Sequence, residues 1–154
     1  MPHIHEKIDF TVEVFLVYGN TVFLRKHDKY KIWLSVGGHI EPDEDPNQAA
    51  IREVKEEVGI DIVLESDIPR PEGPEGFREL VAPRFLNRHR INKTHEHVTM
   101  IYFAKSPTDE IRHGATEISD EVHWFTAREL GDPSFGLQEH IRFYAERALT
   151  ELGH

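Results

Sequence analysis

The most informative stretch of this 154-residue chain is GGHIEPDEDPNQAAIREVKEEVGI, residues 37–60. Two glycines lead into an acidic loop, and Asp45 followed by Pro46 supplies an N-cap and a first helical residue. The spacing predicts a helix from Pro46 to about Val58. Gly59 should end it, because glycine is favoured just past a helix C-terminus.

Three glutamates share one face of this predicted helix. At ~100° per residue, Glu53, Glu56 and Glu57 fall within roughly a third of its circumference. Carboxylates at this spacing repel one another, and a hard cation such as Mg²⁺ or Mn²⁺ would remove the repulsion, because it prefers oxygen ligands. An adjacent apolar stripe can dock on a sheet, and it consists of Ile51, Val54 and Val58. Such a glutamate triplet alone is typical of an ordinary solvated helix.

The residues around the triplet favour the metal site. Gly38 allows a ligand to approach the backbone closely, and an Arg52 fork can bind the Glu44 carboxylate through two hydrogen bonds. With these residues the stretch resembles the signature of the Nudix, or MutT-like, hydrolases, G-x5-E-x7-R-E-U-x-E-E-x-G-U with U aliphatic. The matching positions are Gly38, Glu44, Arg52, Glu53, Val54, Glu56, Glu57, Gly59 and Ile60. Val36 and Asp43 depart from a common Pro and Gly, but neither is a signature position.

This resemblance implies the α/β class, as an α/β/α sandwich with a mixed β-sheet between helices. It implies Mg²⁺- or Mn²⁺-dependent hydrolysis of a pyrophosphate bond in a nucleoside diphosphate linked to another group X, such as a nucleoside triphosphate, ADP-ribose or a nucleotide sugar. Glu44 and Arg52 would orient the loop and the helix. The implied metal ligands are Glu53, Glu56, Glu57 and the carbonyl of Gly38 or Gly37.

The resemblance also implies a general base outside the helix, on a loop before the late Trp-containing strand. Glu117, which precedes Trp124, is the first candidate, and Glu121 and Glu96 follow in that order. Glu53 could itself serve as the base. For each loop glutamate, an ordinary solvated carboxylate is an equal alternative.

A basic segment, PRFLNRHRINKTHEH at residues 83–97, stands out in a chain of formal net charge −10. Arg88 and Arg90 are its candidates for binding substrate phosphates, and Arg25 is a further one. A polar loop that balances local charge is the alternative. The segment also holds three histidines, but their spacing matches no usual zinc site. These are His89, His95 and His97.

Patterning along the rest of the chain predicts strands that interleave with two helices. We expect one domain over residues 1–154, with residues 1–9 loosely held. A second helix is predicted over residues 135–152 and a loop over residues 87–97. The predicted strands cover residues 10–17, 21–24, 30–36, 60–64, 79–86, 98–104 and 121–125.

Composition narrows the possible classes of function. The chain has no Cys, which excludes disulfides, thiolate nucleophiles and Cys-ligated metal sites. Its acidic balance argues against a stable nucleic-acid complex, and no apolar run is long enough for a membrane span. We therefore expect a cytoplasmic protein whose partner is a small nucleotide substrate. The sequence leaves the oligomeric state open, and a homodimer is one candidate, since dimers are frequent among similar proteins.

Two other functions fit the same resemblance. A non-catalytic nucleotide-binding Nudix module could act as a ligand sensor, but the complete set of glutamates argues against it. Isoprenoid diphosphate isomerisation is the other alternative, and the isomerases of that branch use a catalytic Cys that this chain lacks.

Overall fold

The central strand of the sheet is β1, Ile8–Tyr18, in a computed structural model that describes residues 7–27, 30–112 and 121–154. Within those ranges seven strands form one mixed sheet. The other strands are β2 Thr21–Lys26, β3 Trp33–Leu34, β4 Val36–His39, β5 Phe85–Arg90, β6 Glu96–Lys105 and β7 Glu121–Thr126. The helices are α1 Pro46–Val58, α2 Ala127–Leu130 and α3 Glu139–Leu152, with a 3₁₀ turn at Pro133–Phe135.

Strand β1 pairs with three neighbours. It runs parallel to β6 and antiparallel to β2 and β4. Strand β5 continues the sheet beyond β6, whereas β3 and β7 pair with β2. The β1–β4 register sets Gly37 opposite Glu13 and Gly38 opposite Val12. The two glycines at the start of the informative stretch are therefore held inside the sheet.

The two faces of β1 pack against different helices, because successive side chains of a strand alternate between faces. Val12 and Val14 join the core cluster that contains α1, whereas Phe15 and Val17 join the cluster that contains α3. The sheet thus lies between helices, and the predicted α/β/α sandwich is confirmed. No helix in the described ranges has both the length and the apolar character that a membrane span requires.

Helix α1 has the predicted bounds. The side chain of Asp45 accepts a hydrogen bond from Gln48 N–H at 2.8 Å, and Gln48 Oε1 accepts from Asp45 N–H, which completes a capping box. Gly59 ends the helix with φ of 73° and donates to Lys55 O at 3.0 Å. Local side-chain chemistry therefore fixes both ends of the helix that carries the glutamates.

The structure differs from the predicted elements at both ends of the chain. Ile8 and Asp9 belong to β1, so the prediction of a loose segment over residues 1–9 is wrong for these two. Residues 1–6 lie outside the described ranges. Helix α3 begins at Glu139, later than predicted, because the 3₁₀ turn and Gly136 at φ of 67° come first.

Two internal predictions also fail. Residues 60–64 bury alternate side chains against the α1 cluster but belong to no strand. Residues 79–84 are likewise not in a strand, whereas the predicted loop over residues 87–97 is mostly the β5–β6 hairpin. Strand β5 is mostly exposed and rich in basic residues, and such a composition is also typical of a loop. This explains why the sequence pattern predicted a loop here.

Candidate active site

Glu57 is the anchor of the glutamate face. Its side chain is buried, and the residue is only 4% exposed. Arg25 of β2 donates from Nη2 to Glu57 Oε1, and the backbone N–H of Gly37 donates to Oε2 at 2.9 Å. Charge-assisted hydrogen bonds of this kind are stronger than neutral ones. Glu57 therefore joins α1 to β2 and β4 and fixes the helix against the sheet.

Glu53 lies one helical turn earlier, directly against Gly38. A Cβ atom added at Gly38 would overlap the Glu53 carboxylate, so any other residue there would displace that carboxylate. Burial raises the pKa of Glu53, and the neighbouring Arg52 guanidinium partly offsets that rise. The close approach brings the backbone of β4 beside a carboxylate of α1.

Arg52 holds the loop before α1 through Glu44. Its Nε and Nη2 donate to the two oxygens of Glu44 at 3.0 and 2.6 Å, the two-point geometry that the sequence predicts. This hydrogen-bonded pair holds the pKa of Glu44 below its usual range. Nη2 also donates to the carbonyl oxygen of His39 at 3.1 Å. One guanidinium thus connects the helix, the loop and the end of β4.

The same guanidinium reaches two glutamates of the face. Arg52 Nη1 lies 3.0 Å from Glu53 Oε1 and 3.1 Å from Glu56 Oε2. The Glu56 side chain is 59% exposed, so its carboxylate faces solvent while that of Glu57 faces the sheet. The guanidinium supplies the positive charge that two neighbouring carboxylates require.

The donor set fits a hard divalent cation. The three glutamates offer only carboxylate oxygens as metal ligands. Gly38 leaves a space beside Glu53 that the Cβ of any other residue would fill. Mg²⁺ and Mn²⁺ prefer such oxygen ligands and commonly keep open positions for water and phosphate. A bound ion would compete with Arg52 Nη1 for the carboxylates of Glu53 and Glu56.

Of the candidate bases outside α1, the structure describes Glu121 and Glu96. Glu117 lies outside the described residues. Glu121 begins β7, where the register sets it opposite Lys26 of β2. Glu96 begins β6 and accepts a hydrogen bond from Arg88 Nε across the hairpin. This hydrogen bond holds the pKa of Glu96 below its usual range, which makes Glu96 a weak base.

The candidate phosphate ligands lie in two places. Arg25 is part of the site through its contact with Glu57. Arg88 and Arg90 are on β5, not on the predicted loop, and they share the face of β5 that also carries Leu86. The Arg88 side chain is 54% exposed. The structure therefore brings Arg25 to the glutamate face, whereas Arg88 and Arg90 lie on β5, the last strand of the sheet path.

The sequence interpretation missed a polar group on the α3 face of the sheet. The β1–β6 register sets Asp9 opposite His97, and His95 Nε2 lies 2.8 Å from Asp9 Oδ2. Burial and the neighbouring histidines lower the pKa of His97 to about 4, so its imidazole is neutral at pH 7. The Thr11 and Thr99 hydroxyls are hydrogen-bonded at 2.7 Å beside them.

Strand β1 did carry a signal for this group. Polar residues recur at every second position, as Asp9, Thr11 and Glu13, within a run that otherwise reads as apolar on both faces. Burial raises the pKa of Glu13, and the Ser35 hydroxyl donates to its carboxylate at 3.1 Å. A period of two assigns all three polar residues to one face of the strand.

Comparison with known proteins agrees with this geometry. The family model described as the NUDIX domain matches residues 9–146, and the chain belongs to the Nudix family. Its Nudix domain and the Nudix hydrolases that share its fold support an enzyme of the pyrophosphohydrolase class. Hydrolases of this family act on small nucleotide substrates and generally use divalent metals.

Two solved structures share the fold over most of their length. A Nudix-family hydrolase from Clostridium perfringens is 30% identical, with a TM-score of 0.79, and the match covers 94% of this chain and 97% of that one. Escherichia coli dihydroneopterin triphosphate pyrophosphohydrolase is 18% identical, with a TM-score of 0.62, and the match covers 96% of this chain and 97% of that one.

A curated relative matches over a short segment. Dihydroneopterin triphosphate diphosphatase of Escherichia coli strain K12 is 50% identical over 44 residues. That segment spans 29% of this chain and 29% of the relative.

Proposed function

We propose that this enzyme hydrolyses a pyrophosphate bond in a nucleoside diphosphate linked to another group X, and that it needs Mg²⁺ or Mn²⁺. One observation carries the proposal. Glu57 is fixed by Arg25 and the Gly37 N–H while Glu53 fills the space beside Gly38, so two carboxylates have defined positions before any ligand arrives. Groups held in place in advance avoid the cost of ordering them during the reaction.

The metal ligands in this proposal are the three glutamates and the backbone carbonyl of Gly38. A bound divalent cation would activate water and neutralise charge that develops on the phosphate oxygens. Glu44 and Arg52 fix the position of the loop relative to the helix through their paired hydrogen bonds. Glu117 is proposed to accept the proton of the attacking water, with Glu53 as the alternative. The ligands are Glu53, Glu56, Glu57 and Gly38.

The identity of X is tested with a panel of substrates. The panel contains nucleoside triphosphates, ADP-ribose, nucleotide sugars and dihydroneopterin triphosphate, the last because the short curated match acts on it. Each compound is incubated with the enzyme and Mg²⁺, Mn²⁺ or a chelator, and the products are separated by chromatography. Inorganic pyrophosphatase and a phosphate assay provide a second readout for the triphosphates.

We expect at least one compound to be cleaved between phosphates, and the chelator to abolish that turnover. Binding of a nucleotide without cleavage under every metal condition would support the sensor alternative. Turnover that persists in chelator would contradict the metal role of the glutamate face. The cytoplasmic location, the homodimer and the lack of a stable nucleic-acid complex stay predictions.

Arg88 and Arg90 are included in the proposal as phosphate-binding residues, beside Arg25. Changing either one to Ala should remove charge-assisted hydrogen bonds of ~1.5–3 kcal/mol, which lowers kcat/KM by roughly ten- to hundredfold. The melting temperature should hardly change, because the exposed Arg88–Glu96 pair contributes little to folding. Steady-state kinetics on the best substrate, with thermal denaturation in parallel, measures both effects.

The double variant tests whether the two side chains substitute for each other. They project from the same face of β5, so losing both should cost more than the sum of the single effects. Changes below about twofold in all three variants would place phosphate recognition elsewhere. Arg25 and residues 69–77 would then be the next candidates.

A further inference from the structure

A second group of metal-ligating side chains lies on the α3 face of the sheet. Asp9 of β1, His97 of β6 and His95, which precedes β6, each offer one ligand atom, and these atoms all lie within 4.8 Å of one another. The imidazole of His39, at the end of β4, lies beside them, with its Nε2 3.5 Å from Asp9 Oδ2. Three strands and the residue just before β6 therefore bring four ligand-type side chains to one place.

We propose that Asp9, His95 and His97 form a second divalent-metal site, which takes a borderline ion of the Zn²⁺ class and is separate from the glutamate face of α1. The ligand chemistry separates the two sites. Imidazole nitrogens suit Zn²⁺, Co²⁺ and Ni²⁺, whereas an all-oxygen set suits Mg²⁺ and Mn²⁺. Two histidines with one carboxylate leave one coordination position for His39 or for water.

The spacing of the ligand atoms permits this coordination. In a tetrahedral site with bonds of about 2.0–2.1 Å, neighbouring ligand atoms lie roughly 3.4 Å apart. The ligand atoms of Asp9, His95 and His97 lie at most 4.8 Å apart, so side-chain shifts on the order of 1 Å would bring them to coordination distance. The His97 ring lies nearly perpendicular to those of His39 and His95, at 85° and 88°. Rings that meet edge-on can direct nitrogens from different directions toward one point.

Burial means that the Asp9 carboxylate needs a partner, and the number of converging ligands favours a metal ion over a single imidazole. Asp9 is 2% exposed and His95 is 6% exposed, so the carboxylate is shielded from water. An Asp9–His95 ion pair uses one imidazole, whereas a zinc-type site uses three or four nitrogen and oxygen ligands, which is the number that converges here. A buried charge is costly unless it is paired or coordinates a metal.

The test uses the full-length enzyme after metal removal, in excess Mg²⁺ so that the glutamate face is occupied. Co²⁺ is then titrated, because a four-coordinate Co²⁺ site absorbs visible light strongly, and Zn²⁺ binding is measured by calorimetry. We expect one Co²⁺ per chain with tetrahedral-type absorption, and displacement of that ion by Zn²⁺. His97→Gln should weaken binding by more than about tenfold, and Asp9→Asn should do the same.

Two controls separate this site from the glutamate face. Glu56→Gln should retain Co²⁺ binding and its absorption, and His140→Gln should retain it because His140 lies on α3 outside the group. Circular dichroism establishes that each variant is folded. Because His97 is less buried than Asp9, His97→Gln carries the test if Asp9→Asn does not fold.

Four results would overturn the proposal, and the first three concern the Co²⁺ ion and His97. These three are the absence of Co²⁺ binding in excess Mg²⁺, absorption of the weak octahedral type, and unchanged affinity in folded His97→Gln. Loss of the Co²⁺ signal in Glu56→Gln would assign the ion to α1 and also overturn it. None of these results bears on pyrophosphate hydrolysis, which the substrate panel tests separately.

Discussion

Replacing Glu56 by Gln should lower kcat by about a hundred- to a thousandfold, or ~2.7–4 kcal/mol of activation free energy. Gln keeps the shape of the side chain but loses the charge that a hard cation requires. The melting temperature should stay close to that of the parent, because the Glu56 side chain is 59% exposed and its partner Arg52 keeps Glu44 and Glu53. Steady-state kinetics in saturating Mg²⁺ and thermal denaturation measure the two effects.

Glu57→Gln provides the informative contrast. Each substitution removes one of the mutually repelling carboxylates of α1. If only that repulsion mattered, neither substitution would destabilise the fold. The structure changes this expectation for Glu57, because its buried carboxylate holds Arg25 and the Gly37 N–H. Loss of that charge leaves the Arg25 guanidinium without its full countercharge. Glu57→Gln should therefore lower both kcat and the free energy of unfolding.

Glu65→Gln is the matched control, since it removes an exposed carboxylate outside α1 and should change neither quantity. Near-full turnover of Glu56→Gln and of Glu57→Gln would contradict the proposed metal site. Equal stability of the two variants would contradict the anchoring role of Glu57.

Gly38→Ala should reduce kcat by at least about a hundredfold, because displacing a catalytic group by about 1 Å can cost that much. The added Cβ would overlap the Glu53 carboxylate. The backbone cannot easily withdraw, since Gly38 is paired with Val12 of β1. The carboxylate must therefore move, and Mg²⁺-dependent kinetics at several metal concentrations would show a higher metal requirement.

A double variant and a control glycine test whether the effect of Gly38→Ala comes from overlap with Glu53. Shortening the displaced side chain, in Gly38→Ala with Glu53→Asp, should relieve the overlap between the new Cβ and the carboxylate. Gly131→Ala is the control, because Gly131 has φ of −81° and a new Cβ there would make only an ordinary contact with Arg128 O at 3.5 Å. Parent-like kcat in Gly38→Ala would show that Glu53 needs no fixed position.

Helix α1 was predictable because its signals are local. Asp45, Gln48 and Gly59 act on backbone groups within a few residues, and the spacing of the glutamates follows from one helical period. The Glu44–Arg52 pair spans eight residues and was predictable for the same reason. The contact between Arg25 and Glu57 was not, because it depends on how β2 packs beside α1.

The Asp9 group shows where local reasoning stops. His95 and Asp9 are 86 positions apart, and the β1–β6 register brings them together. Register is fixed by the burial of whole strands and not by any short pattern, so histidine spacing along the chain could not reveal the group. The alternation of Asp9, Thr11 and Glu13 showed which face was polar but gave no partner.

Strand β5 lies at the end of the sheet path, and this position has a consequence for self-association. An uncovered edge strand offers unpaired backbone groups to other chains, and charged side chains are a common protection against such pairing. Two β5 strands joined edge to edge would bring Arg88 and Arg90 of one copy close to the same cations of the other. The basic segment therefore disfavours sheet extension between copies through β5.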